Sequence, residues 1–155
     1  MKRLLIALIC LLLLTGCTST SQDVEQAHQT LFDFFEYLNT GRYEEADLLY
    51  GGTYEMLSEF APSLDANDHA ALWRNGCQIS GLQCLLVRSA QYLEQTDDIL
   101  VFNVEFKNAD GTLFVRRPCC GADEAQMPSA SQFAYRVQKT PEGKYLVLDL
   151  PVYIP

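Results

Sequence analysis

The sequence predicts an α+β domain with its helices first and an antiparallel sheet after them. Three observations predict it. Between Val24 and Leu38, apolar residues recur at helical spacing. From Leu82 onward the apolar period changes to two. Asp110-Gly111 and Pro141-Glu142-Gly143 then punctuate the chain between strand-like runs. Helices that precede a meander of strands pack on one face of a curved sheet.

Asp23 to Asn39 reads as an amphipathic helix. Val24, Ala27, Leu31, Phe34, Phe35 and Leu38 form one stripe. Ser21 suits the N-cap, Asp23 and Glu25 the first turn, and Gly41 the C-terminal cap. Tyr43 to Tyr50 restarts a helix with Tyr43, Ala46, Leu49 and Tyr50 on one side. Gly51-Gly52 interrupts it, and Thr53 to Phe60 adds another turn or two before Pro62. Asp65 is expected to cap a third helix through Ala66, Ala70 and Trp73, ending at Asn75-Gly76.

The strands follow. Leu85 to Leu93 is the first, bounded by Glu94-Gln95-Thr96-Asp97-Asp98. Ile99 to Lys107 is the second, with Leu100, Phe102, Val104 and Phe106 on one face and Asn103 and Glu105 on the other. Asn108 to Gly111 turns the chain, and Thr112 to Arg116 is expected to extend the ladder. Pro118 to Pro128 is a loop. Ser131 to Lys139 alternates again, with Phe133, Tyr135 and Val137 inward. Tyr145 to Leu150 is the last strand.

Ahead of the domain lies a different kind of segment. Met1-Lys2-Arg3 is followed by an apolar run of 11 residues, Leu4 to Leu14, then Thr15-Gly16-Cys17. A spanning helix needs roughly 20 apolar residues. Two positive charges, a short apolar core and a small residue before the break make a secretory signal peptide. The ending Leu14-Thr15-Gly16-Cys17 resembles the lipobox of bacterial lipoproteins. That resemblance implies cleavage after residue 16, lipidation of the Cys17 thiol and acylation of the new amino terminus, an anchor of two or three chains such as palmitate. The chain thus divides into a cleaved leader (1–16), a lipidated Cys and polar tether (17–22) and one α+β domain (23–155). The expected location is the cell envelope, on the extracytoplasmic side of the membrane.

The helix that ends in Asn39-Thr40-Gly41 and re-enters on Tyr43-Glu44-Glu45-Ala46 resembles the nuclear-transport-factor-2-like superfamily. The closing Lys144-Tyr145-Leu146-Val147-Leu148-Asp149-Leu150-Pro151 is similar to the final strand of such domains. The resemblance covers roughly residues 23–153. It implies a cone of helices and curved sheet, related to ketosteroid isomerase, in which the enzymes place acid/base residues inside a pocket.

Composition narrows the functions. The chain has 11 basic and 20 acidic residues. Removing residues 1–16, and with them Lys2 and Arg3, leaves 139 residues with 9 basic against 20 acidic, a net charge of −11. That length carries one domain with a real core. That charge argues against nucleic acid and against electrostatic attraction to anionic lipid. The covalent lipid is therefore the expected link to the membrane. All 17 aromatic residues lie beyond the leader and are available to a core.

Besides Cys17, the exported part holds Cys77, Cys84, Cys119 and Cys120. An oxidising compartment makes disulfides the default. The spacing lacks the Cys-x2-Cys knuckles of structural zinc sites, so no metal is expected. Four cysteines allow three pairings. Asn75-Gly76 before Cys77, and Gly81 in the connection, favour Cys77 with Cys84. Cys119 and Cys120 then form an adjacent bridge or stay reduced.

No residue in the sequence identifies itself as a nucleophile. There is no Gly-x-Ser-x-Gly and no phosphate-cradling loop. His28 sits beside the apolar stripe and His69 in an acidic stretch, both expected at the surface or rim. Asp65-Ala66-Asn67-Asp68 begins like a calcium loop but has Ala70 and Gly76 where Gly and Glu belong. Arg116-Arg117 is read as a solvated pair. If the cone holds a pocket, Tyr145 and Asp149 are the candidates for its wall, sharing a strand face at i, i+4. Arg136 or Arg88 beside Asp149 would make that carboxylate a structural ion pair instead. The expected function is a lipid-anchored extracytoplasmic binding or interaction protein without catalysis or cofactor, facing a small ligand or an envelope protein. The alternative is a small isomerase- or dehydratase-type enzyme using the cone pocket.

Overall fold

Gly41 ends the first helix because only a residue at ease with positive φ turns the chain there. Its φ is +77°. Its N–H donates to the Leu38 carbonyl at 3.3 Å, and Arg42 N–H donates to the Tyr37 carbonyl at 2.8 Å, the paired bonds of a Schellman stop. A computed structural model describes residues 19–155. The leader and the Cys17 anchor expected above lie outside those residues.

Helix α1 spans Ser19–Thr40, α2 Tyr43–Asp47, α3 Glu55–Phe60 and α4 His69–Gln78. Strands β1 Leu86–Thr96, β2 Ile99–Lys107, β3 Phe133–Lys139 and β4 Tyr145–Val147 form one antiparallel sheet in the order β1-β2-β3-β4. The chain is α+β, with helices first and a meander after them.

The expected stripe of α1 is its buried face: Ala27, Leu31, Phe34, Phe35 and Leu38 are all closed to solvent. The helix starts earlier than expected, at Ser19, so Ser21 lies inside it rather than at its cap. Part of the expected tether, Ser19 to Gln22, is therefore helical. Asp23 does not serve a first turn. It accepts bonds from Lys139 Nζ and from the Tyr145 hydroxyl, both at 2.8 Å, and ties α1 to β3 and β4.

Two aromatic layers fill the space around α1. Phe35 meets Phe106 at 4.8 Å and Tyr135 at 5.1 Å, edge to face, and so seats α1 on the sheet. Phe34 meets Trp73 at 5.6 Å and Tyr50 at 5.9 Å, and so seats α1 on α4 and the turn after α2. On β2, Leu100, Phe102, Val104 and Phe106 point inward and are buried, as the alternation predicts. No polar or charged residue is buried among the described residues.

The boundaries of several elements differ from those expected. The cap of α4 is Asp68, whose carboxylate accepts the Ala71 N–H at 3.0 Å. Asp65 instead closes a turn on the Asn67 N–H at 2.9 Å. The helix then runs through Gly76 to Gln78. Gly76 is there for close packing, since a Cβ would stand 2.7 Å from Leu82 Cδ1. Strand β1 continues to Thr96 and turns on Asp97-Asp98 alone, with Asp97 at φ +54°. Thr112 to Arg116 makes only isolated bridges, Lys107 with Leu113 and Arg116 with Ala130. Thr112 spends its N–H and hydroxyl on the Asp110 carboxylate.

The end of β4 shapes the site. β4 pairs with β3 only through Val147, not to Leu150. The Leu148 N–H still donates to the Arg136 carbonyl at 3.0 Å. The return bond goes elsewhere: the Arg136 N–H donates to the Asp149 carboxylate at 2.7 Å. On the other edge of β4, Tyr50 bridges Val147 in parallel, with the Gly51 N–H donating to the Val147 carbonyl at 2.9 Å. Gly52 permits this approach, because a Cβ there would lie 2.4 Å from the Leu148 carbonyl oxygen.

Candidate functional site

Where β4 stops, two open grooves flank the Leu148-Asp149-Leu150 segment. The first, about 580 Å³, is lined by Tyr50 to Thr53, by Glu55, Met56 and Glu59 of α3, and by Arg136, Leu148, Asp149 and Leu150. The second, about 540 Å³, is lined by Arg116, Ala130, Gln132 to Tyr135, Asp149, Leu150, Val152 and Tyr153. Asp149 and Leu150 belong to both.

Arg136 and Asp149 dominate the first groove. The guanidinium donates from Nη2 to Oδ1 at 2.6 Å and from Nε to both oxygens at 3.1 and 3.2 Å. This forked geometry is the strong form of a carboxylate–arginine pair. The bond to Asp149 holds the Arg136 guanidinium above its ordinary pKa. Beside it, the Tyr50 hydroxyl donates to the Thr53 carbonyl at 3.1 Å. Burial, and then the charge of Asp149, push its pKa up to about 12. Tyr50 is thus a neutral hydrogen-bonding group at physiological pH. Glu55 and Glu59 leave the groove acidic on the α3 side.

The expected pocket pair is not brought together. Asp149 stands on the groove wall with Arg136 as its partner. Tyr145 is buried at the opposite end of β4, with its hydroxyl on Asp23. Asp23 is held below the usual carboxylate range, first by Lys139 and then by Tyr145. The i, i+4 argument assumes a strand that continues, and this one ends at Val147.

Cys77 and Cys84 are bonded, with sulfurs 1.96 Å apart and Cα atoms 5.5 Å apart. The bond fastens the end of α4 to the entry of β1. Cys119 and Cys120 are free thiols. Among the described residues no group of three or more His, Cys, Asp or Glu is placed to hold a metal. No helix among them is long and apolar enough to cross a membrane.

One constellation escaped the sequence. His69 Nδ1 lies 3.1 Å from Asp47 Oδ1, and the Tyr54 hydroxyl donates to the same oxygen. The Tyr54 and His69 rings stack at 3.7 Å. Burial, and then the bond to Asp47, push the Tyr54 hydroxyl pKa up. Asp47 and His69 are 22 residues apart with α3 between them, a separation no periodicity spans. Neither Asp47 nor His69 lines either groove. The His28 ring lies tilted against Phe32 at 4.5 Å and against Phe102 at 6.1 Å, a half-buried rim position as expected.

No protein-family model, no curated protein and no solved structure matches this chain.

Proposed function

We propose that this chain is a lipid-anchored, extracytoplasmic interaction protein that offers its first groove to a partner and catalyses no reaction. The single observation that carries the reading is where the space lies. Between helices and sheet, Phe34, Phe35, Phe102, Phe106, Trp73 and Tyr135 take up the interior. The open volume lies outside, along Tyr50, Met56, Glu59 and Arg136. An isomerase-type enzyme needs titratable groups inside an enclosed site. Here Asp149, the candidate base, is forked to Arg136.

Two further readings belong to the proposal. The helix–Gly–helix entry and the meander support a cone of the nuclear-transport-factor-2-like kind. The Leu14-Thr15-Gly16-Cys17 ending supports anchoring through Cys17 in the cell envelope. With a net charge of −11 beyond the leader, the partner is a neutral or basic surface of an envelope protein rather than nucleic acid.

Photo-crosslinking in intact cells tests the groove. A crosslinking side chain at position 56, in the groove, is compared with one at position 91, on β1. A discrete adduct from 56 and none from 91 is expected. Equal adducts from both positions, or none from 56, would refute groove recognition.

A further inference from the structure

The loop after Arg117 carries a second kind of chemistry. Consecutive residues in an extended chain point to opposite sides, which keeps adjacent thiols apart. Cys119 and Cys120 are not extended. They sit at the start of a tight turn in which the Ala122 N–H donates to the Cys119 carbonyl at 3.0 Å. Both central residues have positive φ, Cys120 at +60° and Gly121 at +88°. Glycine tolerates that conformation, whereas cysteine rarely adopts it. The result is that the turn brings the Cys120 and Cys119 sulfurs against each other.

The surrounding loop is braced. Its base is closed by Arg116 and Ala130, each donating its N–H to the other's carbonyl at 2.8 and 2.9 Å. Asp123 accepts the N–H groups of Ala125 and Gln126, and Glu124 accepts that of Ser129 at 2.7 Å. Cys120 is exposed and Cys119 half-buried. One sulfur therefore faces solvent with its partner held against it.

We propose that Cys119 and Cys120 are a reversible thiol–disulfide exchange site that closes on itself at the expense of an external disulfide. The Cys120 thiol gives its proton to solvent, and its thiolate attacks one sulfur of the external disulfide. A Cys120 mixed disulfide forms and one thiolate leaves, taking up a proton. Cys119 then loses its proton and attacks the Cys120 sulfur, forming the vicinal disulfide and expelling the second thiolate. Two cysteine thiols are oxidised and one external disulfide is reduced to two thiols. Because the resolving sulfur is already in place, the second step outruns release or accumulation of the mixed disulfide. The site is separate from the groove and independent of the interaction reading.

The test uses the full chain and glutathione disulfide. Reduced protein is exposed to the reagent under native conditions, quenched with a maleimide and digested without reductant. The peptide spanning 117–136 is expected two hydrogen atoms lighter than its dithiol form, with neither glutathione nor maleimide attached. Cys119→Ser should instead retain one glutathione on Cys120. Gly121→Ala, which disfavours the positive φ of the turn, should close several-fold more slowly. A parent peptide that keeps glutathione, that takes two maleimides, or that is linked to Cys77 or Cys84 would overturn the proposal. So would Gly121→Ala closing as fast as the parent.

Discussion

Asp149 takes the place of a peptide carbonyl for Arg136. Its Oδ2 accepts the Arg136 N–H at 2.7 Å while its Oδ1 accepts the guanidinium at 2.6 Å. One side chain thus ends the β3–β4 ladder and fixes the arginine along the groove. Asp149→Asn removes the charge from both contacts. Arg136 is half exposed, at 53%, so solvent screens part of the loss. The variant should lose about 1–2 kcal/mol of stability. Urea unfolding against the parent measures it, and an unchanged midpoint would mean the pair is ornamental.

Asp23 predicts an acid dependence. Its pKa is lowered in the folded chain, first by the bond from Lys139 and then by that from Tyr145. A depressed carboxylate pKa stabilises the fold above the unfolded value of about 4, and that contribution is lost as pH falls through the folded value. Asp23→Asn should therefore be less stable than the parent at neutral pH. The difference should shrink as the pH drops below about 4. Unfolding curves across that range check the sign. A difference that grows on acidification would contradict the assignment.

The Cys77–Cys84 bond closes a loop of sequence separation 7. Loop-closure entropy assigns such a bond about 2.5 kcal/mol. Cys77→Ser with Cys84→Ser should lower stability by that amount and leave the fold in place. Loss of folding altogether would show that the end of α4 depends on the bond for more than entropy.

How much of this was legible depended on how local each determinant is. The α1 stripe, its Gly41 stop and the alternation of β2 from Leu100 to Phe106 were legible, because each is set by residues within one or two turns or pleats. The cap of α4 lies three residues beyond the expected Asp65, since Asp65 and Asp68 have the same capping chemistry and only packing chooses between them. Gly76 reads as a stop but serves contact with Leu82, which no spacing reveals. The early end of β4 depends on Asp149 outcompeting a backbone acceptor. The sequence offers Arg136 and Arg88 alike as partners of Asp149, and only register selects Arg136. The Asp47–His69–Tyr54 contact joins three segments and left no local trace.

The proposed membrane attachment makes its own prediction. Cys17→Ala should leave an unprocessed precursor that takes no fatty-acid label, while the parent is labelled and cleaved. Metabolic labelling followed by mass measurement of the amino-terminal peptide checks both. Persistent label on the variant would rule out Cys17 as the anchor.

A packed interior leaves recognition to the outer grooves. A xenon titration followed by methyl NMR tests this most directly, because xenon enters apolar cavities that stay dry. The methyl signals of Leu31, Leu38, Val104 and Val137, all buried, should not move in a saturable way. Saturable shifts confined to those four residues would reveal an enclosed pocket, contradict the packed interior and return the enzyme alternative to first place.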